Sequence, residues 1–296
     1  MYPGVKSPGQ IISLLKAKGV RPSKARGQNF LIDANIARKI AEEAALETRD
    51  IVVEIGPGLG ALTWELAQRA GWVIGVEIDR NLLQVLREIL EGQSNVLLIE
   101  GDALKIDFDE LVGKSLGMEG RGRLPAYKVV ANLPYYITSP LLLHLLGSGF
   151  NIKRLVLMVQ LEVAQRLVAG PGTKDYGALT VFAQYFADIQ WVMRVPRKVF
   201  FPRPEVDSAV VRLDRRLFPP VDVGDDEEFF FRVVRASFSK RRKILPNALK
   251  ELVGDRGVVF KALDAAGIAP IRRGETLSLE EFASLSRCLK KELGRG

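Results

Sequence analysis

Five short runs rich in Val and Ile recur in the first half of the chain: Ile51–Ile55, Val73–Glu77, Val96–Ile99, Tyr127–Ala131 and Arg154–Val159. Each suits a strand buried on both faces of a sheet. Helical stretches lie between them at Gly60–Ala70, Arg80–Glu91 and Ser139–Leu146. Strand–helix units in series predict an α/β fold with a doubly wound, mainly parallel sheet. Ser139 before Pro140 predicts the start of the third helix, with the hydroxyl as N-cap and proline in the first turn. Gln190–Val195 and Ser208–Leu213 add a final antiparallel pair.

The pattern changes at Leu217-Phe-Pro-Pro-Val221. Beyond it only helical spacing remains, over Asp226–Phe238, Ile244–Val253, Arg256–Ala266 and Leu279–Leu293. Ser278 with Glu281 fits a capping box for the last. The 296 residues therefore divide into a catalytic domain, 1–217, and a small helical domain, 218–296. No apolar run reaches the ~18 residues of a membrane span. Near the N-terminus, Ile11, Ile12, Leu14 and Leu15 form one face of a short helix rather than the core of an export signal. One cysteine, Cys288, allows no internal disulfide and no zinc cluster, so a cytoplasmic protein without metal is expected. His144, set among leucines, reads as a packed core residue.

The segment Glu54-Ile-Gly-Pro-Gly-Leu-Gly60 follows the first strand and opens a helix. Glycines at 56, 58 and 60 allow a sharp turn and close approach to a nucleotide-like ligand. A dinucleotide dehydrogenase needs glycine at 61, where Ala61 stands, and Glu54 fits a methyltransferase loop better. Glu77 ends the second strand, where a carboxylate can accept both hydroxyls of a ribose. Asp79 reads as a helix cap. Asp102, beyond the third strand in Glu100-Gly-Asp-Ala103, can accept from an adenine amine.

Asn132-Leu-Pro-Tyr135 ends the fourth strand. The amine of adenine is a poor nucleophile because its lone pair is delocalised into the ring. Acceptors aimed at its hydrogens favour the pyramidal form that attacks an activated methyl group. The Asn132 side-chain oxygen can be one acceptor. The Leu133 carbonyl can be the other, held outward because Pro134 forces an extended residue before it. Tyr135 can stack on the base. Positioning and preorganised polarity then carry the catalysis.

The net charge of +8 is concentrated in two places. Residues 1–32 hold six basic side chains and no acid, and residues 232–250 hold seven and no acid; the rest of the chain is net acidic. Patches of this kind suit a polyanion such as RNA. Lys240, Arg241, Arg242 and Lys243 supply charge without a base code, so they set affinity more than specificity.

With these motifs in hand, the chain resembles the ribosomal RNA adenine N6,N6-dimethyltransferases of the KsgA type along nearly its whole length. Gly27-Gln-Asn-Phe-Leu31 resembles that family's N-terminal cofactor motif, Val53–Thr63 its glycine motif and Asn132–Tyr135 its catalytic motif. Phe200–Ser208 resembles a segment whose aromatic packs near the target base, with Phe200 the better match than Phe201. Phe238–Asn247 resembles the basic motif of the helical domain. The resemblance implies a Rossmann-like sheet whose seventh strand is antiparallel. It implies S-adenosylmethionine as cofactor, held by Gln28, Asn29, Leu31, Gly56, Gly58, Glu77, Asp102, Ala103 and Asn132. It implies dimethylation of two adjacent adenosines in a hairpin near the 3′ end of small-subunit ribosomal RNA, in a 30S assembly intermediate, with the enzyme as a monomer. Tyr136, Thr138 and Ile244 depart from the commonest family residues. Two other readings stay open: a macrolide-resistance methyltransferase of large-subunit RNA, against which Phe238–Asn247 argues, and a non-catalytic RNA-binding factor, against which the intact Asn132–Tyr135 argues.

Overall fold

A computed structural model describes residues 8–20, 22–23, 27–118, 124–240 and 242–294. Lys6, Arg21, Lys24, Arg26 and Arg241 of the two basic patches lie outside the described residues. The strands are β1 (Phe30–Leu31), β2 (Ile51–Ile55), β3 (Trp72–Glu77), β4 (Val96–Glu100), β5 (Tyr127–Asn132), β6 (Ile152–Gln160), β7 (Ala187–Val195), β8 (Phe200–Phe201) and β9 (Ser208–Arg215). The helices are α1 (Pro8–Ala17), α2 (Ala34–Glu43), α3 (Ala61–Ala67), α4 (Arg80–Ile89), α5 (Phe108–Ser115), α6 (Thr138–Gly147), α7 (Leu161–Leu167), α8 (Ala178–Phe186), α9 (Glu227–Phe238), α10 (Leu245–Val253), α11 (Arg256–Ala265) and α12 (Leu279–Glu292).

Seven strands form one sheet in the order β4-β3-β2-β5-β6-β9-β7. The pairs β2–β3, β3–β4, β2–β5 and β5–β6 are parallel, and β9 runs antiparallel to β6. All residues of β2 are buried, the apolar Ile51, Val52, Val53 and Ile55 and with them Glu54. On one face, α2 and α3 press Ala37, Ile40, Leu62 and Leu66 onto Val52, Val130 and Val156. Each such Leu, Ile or Val side chain removed from water contributes about 2 kcal/mol. The chain winds outward from β2 through β3 to β4, then restarts on the other side with β5 and β6. The strand order thus reverses between β2 and β5, where open α/β sheets bind ligands at their carboxyl ends.

The chain divides into two compact units, 1–164 with 188–215, and 165–187 with 216–296. The second is discontinuous, which amends the division at 217/218. Its core explains why: Tyr176, Val181 and Tyr185 from the first segment pack with Phe229, Phe230, Phe231 and Phe282 from the second. The Tyr185 and Phe230 rings lie 5.4 Å apart, and the Tyr185 hydroxyl donates to Glu227 at 3.0 Å. The expected capping box is present at α12, where Ser278 and Glu281 satisfy each other's backbone amides. The start of α6 differs from expectation. A 3-10 turn at Tyr135–Ile137 runs straight into the helix, so Thr138 is its first residue. Ser139 is exposed in the first turn and caps nothing; the Thr138 hydroxyl donates to Pro134 O at 3.2 Å instead.

Candidate active site

The carboxyl ends of β2, β3, β4 and β5 open onto one cleft of about 1020 Å³, part of it open to solvent. Its floor is the glycine loop. Gly60 caps α3 at φ +82°, and a Cβ there would stand 2.6 Å from Leu86 Cδ1. Gly58, at φ +58°, would meet the Phe30 ring at 3.1 Å. The glycines are therefore set by left-handed backbone and close packing together, conditions a side chain would violate.

Glu77 is buried at the end of β3. Its carboxylate accepts from Asp79 N at 2.9 Å and from Gly58 N at 3.4 Å, so it fastens the glycine loop to β3. Burial lifts this carboxyl above the usual range, these amides pull it down, and the Asp79 charge lifts it further. Lone pairs remain for two hydroxyl donors. Asp79 caps α4 as expected, accepting from Asn81 N at 3.1 Å. Asp102 accepts from Leu104 N at 3.1 Å and lines the cleft with Ala103.

The segment Gly27–Leu31 forms one wall. Gln28 is committed at both ends of its amide: Ser23 N donates to it at 2.6 Å, and it donates to Asp79 at 3.0 Å. It therefore ties the wall to α4 rather than aiming at a ligand. Leu31 is held by β1, which pairs with β8 so that Leu31 faces Phe200.

At the end of β5, the Asn132 amide nitrogen donates to the Asn29 carbonyl at 3.1 Å. That bond fixes which end of the amide is free: the oxygen is left as an acceptor. Leu133 N donates to Met158 O at 3.0 Å, anchoring the turn to β6. Pro134 is extended, with φ −58° and ψ 131°. The Tyr135 hydroxyl bonds the buried Ser208 hydroxyl at 2.9 Å. Burial, chiefly, lifts that phenol above its usual range.

The cleft thus gathers Gln28, Asn29, Leu31, Gly56, Gly58, Glu77, Asp102, Ala103, Asn132, Leu133, Pro134 and Tyr135. It does not gather Phe200, which is 3% exposed and packed with Leu31 and Val199 in the core beneath α2 and α3. Two cleft residues carried too little weight in the sequence. Glu54 is buried one residue before the end of β2, and Tyr136 is exposed at the edge of the cleft. The tyrosine was visible only as a departure from the usual motif. His144 is a packed residue, bonded to Ile106 O at 2.8 Å and lying edge-on to Phe150. Lys240 is paired with Glu251, whereas Arg242 and Lys243 are exposed. Among the described residues no cluster of His, Cys, Asp and Glu could hold a metal, and no helix is long and apolar enough to cross a membrane.

The fit to S-adenosylmethionine rests on chemistry the cleft displays. It has acceptors for a diol at Glu77, an acceptor for an amine at Asp102, and buried carboxyls to balance a cation.

Residues 21–291 match the family model described as ribosomal RNA adenine dimethylase. The chain is 60% identical over 286 residues to the ribosomal RNA small subunit methyltransferase A of Moorella thermoacetica, covering 97% of this chain and 99% of that one. It is 55% identical over 285 residues to the protein of the same name from Pelotomaculum thermopropionicum, covering 95% and 96%. Among solved structures it is similar to the 23S rRNA methyltransferase ErmE, with TM-score 0.66, 31% identity, and 88% and 100% of the two chains covered. It is also similar to a dimethyladenosine transferase from Plasmodium falciparum, with TM-score 0.72, 26% identity, and 88% and 97% covered. With this sheet, this glycine turn and this asparagine turn, the chain belongs to the ribosomal RNA adenine dimethylase family.

Proposed function

We propose that this protein transfers methyl groups from S-adenosylmethionine to the N6 amines of two adjacent adenosines in a hairpin near the 3′ end of small-subunit ribosomal RNA. The observation that carries the reading is the Asn132–Asn29 bond, which leaves the Asn132 oxygen as the acceptor at the cleft. When bound, the cofactor supplies an activated methyl group on a sulfonium. The chain's own part is to position and polarise. Glu77 and Asp102 hold a ribose and an adenine at the ends of β3 and β4. Asn132 Oδ1 and the Leu133 carbonyl draw the hydrogens of the target amine out of the ring plane. Tyr135, its hydroxyl tethered to Ser208, offers a ring face for the base. No strong base is needed, because the amine proton can leave after the methyl group has moved.

A target adenine must leave its stack to reach a cleft at the carboxyl ends of the strands. Phe200, buried below β1, backs Leu31 in this reading; it forms a base wall only if the pocket rearranges around the RNA. The helical unit and the basic N-terminal arm hold the phosphate backbone, with Arg242 and Lys243 exposed for it. The protein works in the cytoplasm as a monomer on a 30S assembly intermediate. Purified protein should methylate undermethylated 30S particles and leave 50S particles unmodified, with dimethyladenosine mapped by mass spectrometry. Methylation of 50S RNA alone would replace this reading with the activity named for ErmE.

A further inference from the structure

Glu54 has no role in the mechanism above, yet it lines the cleft at 1% exposure. It stands one residue before the end of β2, opposite Gly75 on β3 and Val130 on β5. By strict geometry neither its Oε2 nor the adjacent Thr63 hydroxyl of α3 has a hydrogen-bond partner. A buried carboxylate oxygen without a partner makes the charged form costly, which favours the neutral acid.

No cation of the chain offsets this among the described neighbours. From β3 comes Glu77, another acid. From β5 comes Val130, and the Lys128 ammonium, two residues back, is bonded to Ala45 O and Asp50. Helix α2 turns Ala37, Ile40 and Ala41 inward and leaves Arg38, Lys39 and Glu42 exposed. The wall Gly27–Leu31 carries no charge. Burial lifts the Glu54 carboxyl to about 8; the Thr63 hydroxyl draws it down in part, and the Glu77 charge lifts it again.

We propose that Glu54 is protonated in the cofactor-free protein and gives up its proton to solvent when the cationic cofactor binds. One O–H bond breaks, the proton goes to buffer, and the carboxylate left behind balances the incoming positive charge. The inference rests on the cleft being the S-adenosylmethionine site. It makes loading proton-linked, with affinity rising about tenfold per pH unit between about pH 6 and pH 7.5 and levelling off above about pH 8.5.

Calorimetry of S-adenosylmethionine binding to the full chain near neutral pH, in buffers of different ionisation heat, counts the protons. The wild type should release about one more proton per cofactor than Glu54→Gln, a difference expected when a group titrating near 8 is shifted well below 7. The cofactor's own amine titrates alike in both proteins and cancels. Equal counts overturn the proposal, whereas absence of binding to the wild type overturns the cofactor site itself. Infrared difference spectra give a second readout. Cofactor addition should remove a protonated-carboxyl band from the wild type, and its persistence overturns the proposal even if Glu54→Gln does not fold.

Discussion

The Asn132 side chain and the Asn29 carbonyl, 103 residues apart in sequence, meet at 3.1 Å at the mouth of the cleft. One bond therefore joins the N-terminal wall to the turn that follows β5, and it decides which end of the amide faces the substrate. Asn132→Ala removes that acceptor while leaving the glycine loop, Glu77 and Asp102 in place. Methyl transfer in single turnover should fall about 10²–10³-fold, as for loss of one preorganised polar group. Cofactor affinity by calorimetry should change by no more than a few fold. Unchanged turnover would remove Asn132 from the chemistry.

Glu77 has two duties that different substitutions separate. Its carboxylate holds Gly58 N and Asp79 N, and it is proposed to accept a ribose diol. Glu77→Gln keeps the size and one acceptor oxygen, so the fold should survive. A charged acceptor lost from a buried hydrogen bond costs about 1.5–3 kcal/mol, or roughly 10–150-fold in affinity. Normal cofactor affinity in Glu77→Gln would refute the ribose role. Glu77→Ala should additionally lower the melting temperature, because both amides lose their partner.

The central strands β2, β3, β5 and β6 were legible in the sequence because they are largely covered on both faces and so read as mainly apolar runs, whereas the apolar run of β4 lies at the sheet's edge with no residue buried. The ends of β2, β3, β4 and β5 then followed from the loops after each run, which is why Glu77, Asp102 and Asn132 could be placed in one cleft. The two-residue pair β1–β8 was not legible: Phe30–Leu31 and Phe200–Phe201 are 170 residues apart, and too short to show a period. Helix α8 was hidden too. Its sequence, ALTVFAQYF, is apolar on most sides because it packs among the aromatics of α9. Phe200 looked like a base-stacking residue by resemblance, but its ring is packed in a buried cluster with Leu31 and Val199, which no local sequence pattern reveals. Glu54 was seen as a motif residue; its lack of a cation among its described neighbours is a property of the packed sheet.

Far from the cleft, Lys128 is buried and donates to Asp50 at 2.8 Å and to Ala45 O. Burial pushes the Asp50 carboxyl up, but the Lys128 bond, the Glu47 amide and the charges of Lys128 and Lys153 outweigh it and hold it below the usual range. A depressed acid stabilises the fold above its unfolded value and loses that contribution as pH falls through its folded value. Asp50→Asn should therefore destabilise the protein at neutral pH, by on the order of 2 kcal/mol. That is less than for a fully buried pair, because Asp50 is partly exposed. In urea melts the gap between wild type and variant should close below about pH 4. A gap constant down to pH 3 would show that the pair contributes no charge-dependent stability.

Electrostatics of the second unit make the last prediction. Arg242 and Lys243 are exposed, whereas the Lys240 ammonium is already paired with Glu251, whose carboxyl that bond and charge hold below its usual range. A phosphate contacting Lys240 must compete with Glu251, so less counterion is released there than at an unpaired cation. For RNA each neutralised phosphate contributes about 0.7–0.9 to the slope of log K against log salt. Neutralising Arg242 and Lys243 together should lower that slope by about 1.5, and Lys240→Ala alone by well under half of that. Fluorescence anisotropy with a labelled RNA hairpin over a salt series reads both values. An unchanged slope in the double variant would move the RNA-binding face away from the residues preceding α10, and an equal effect of Lys240→Ala would show that Glu251 yields to phosphate at no cost.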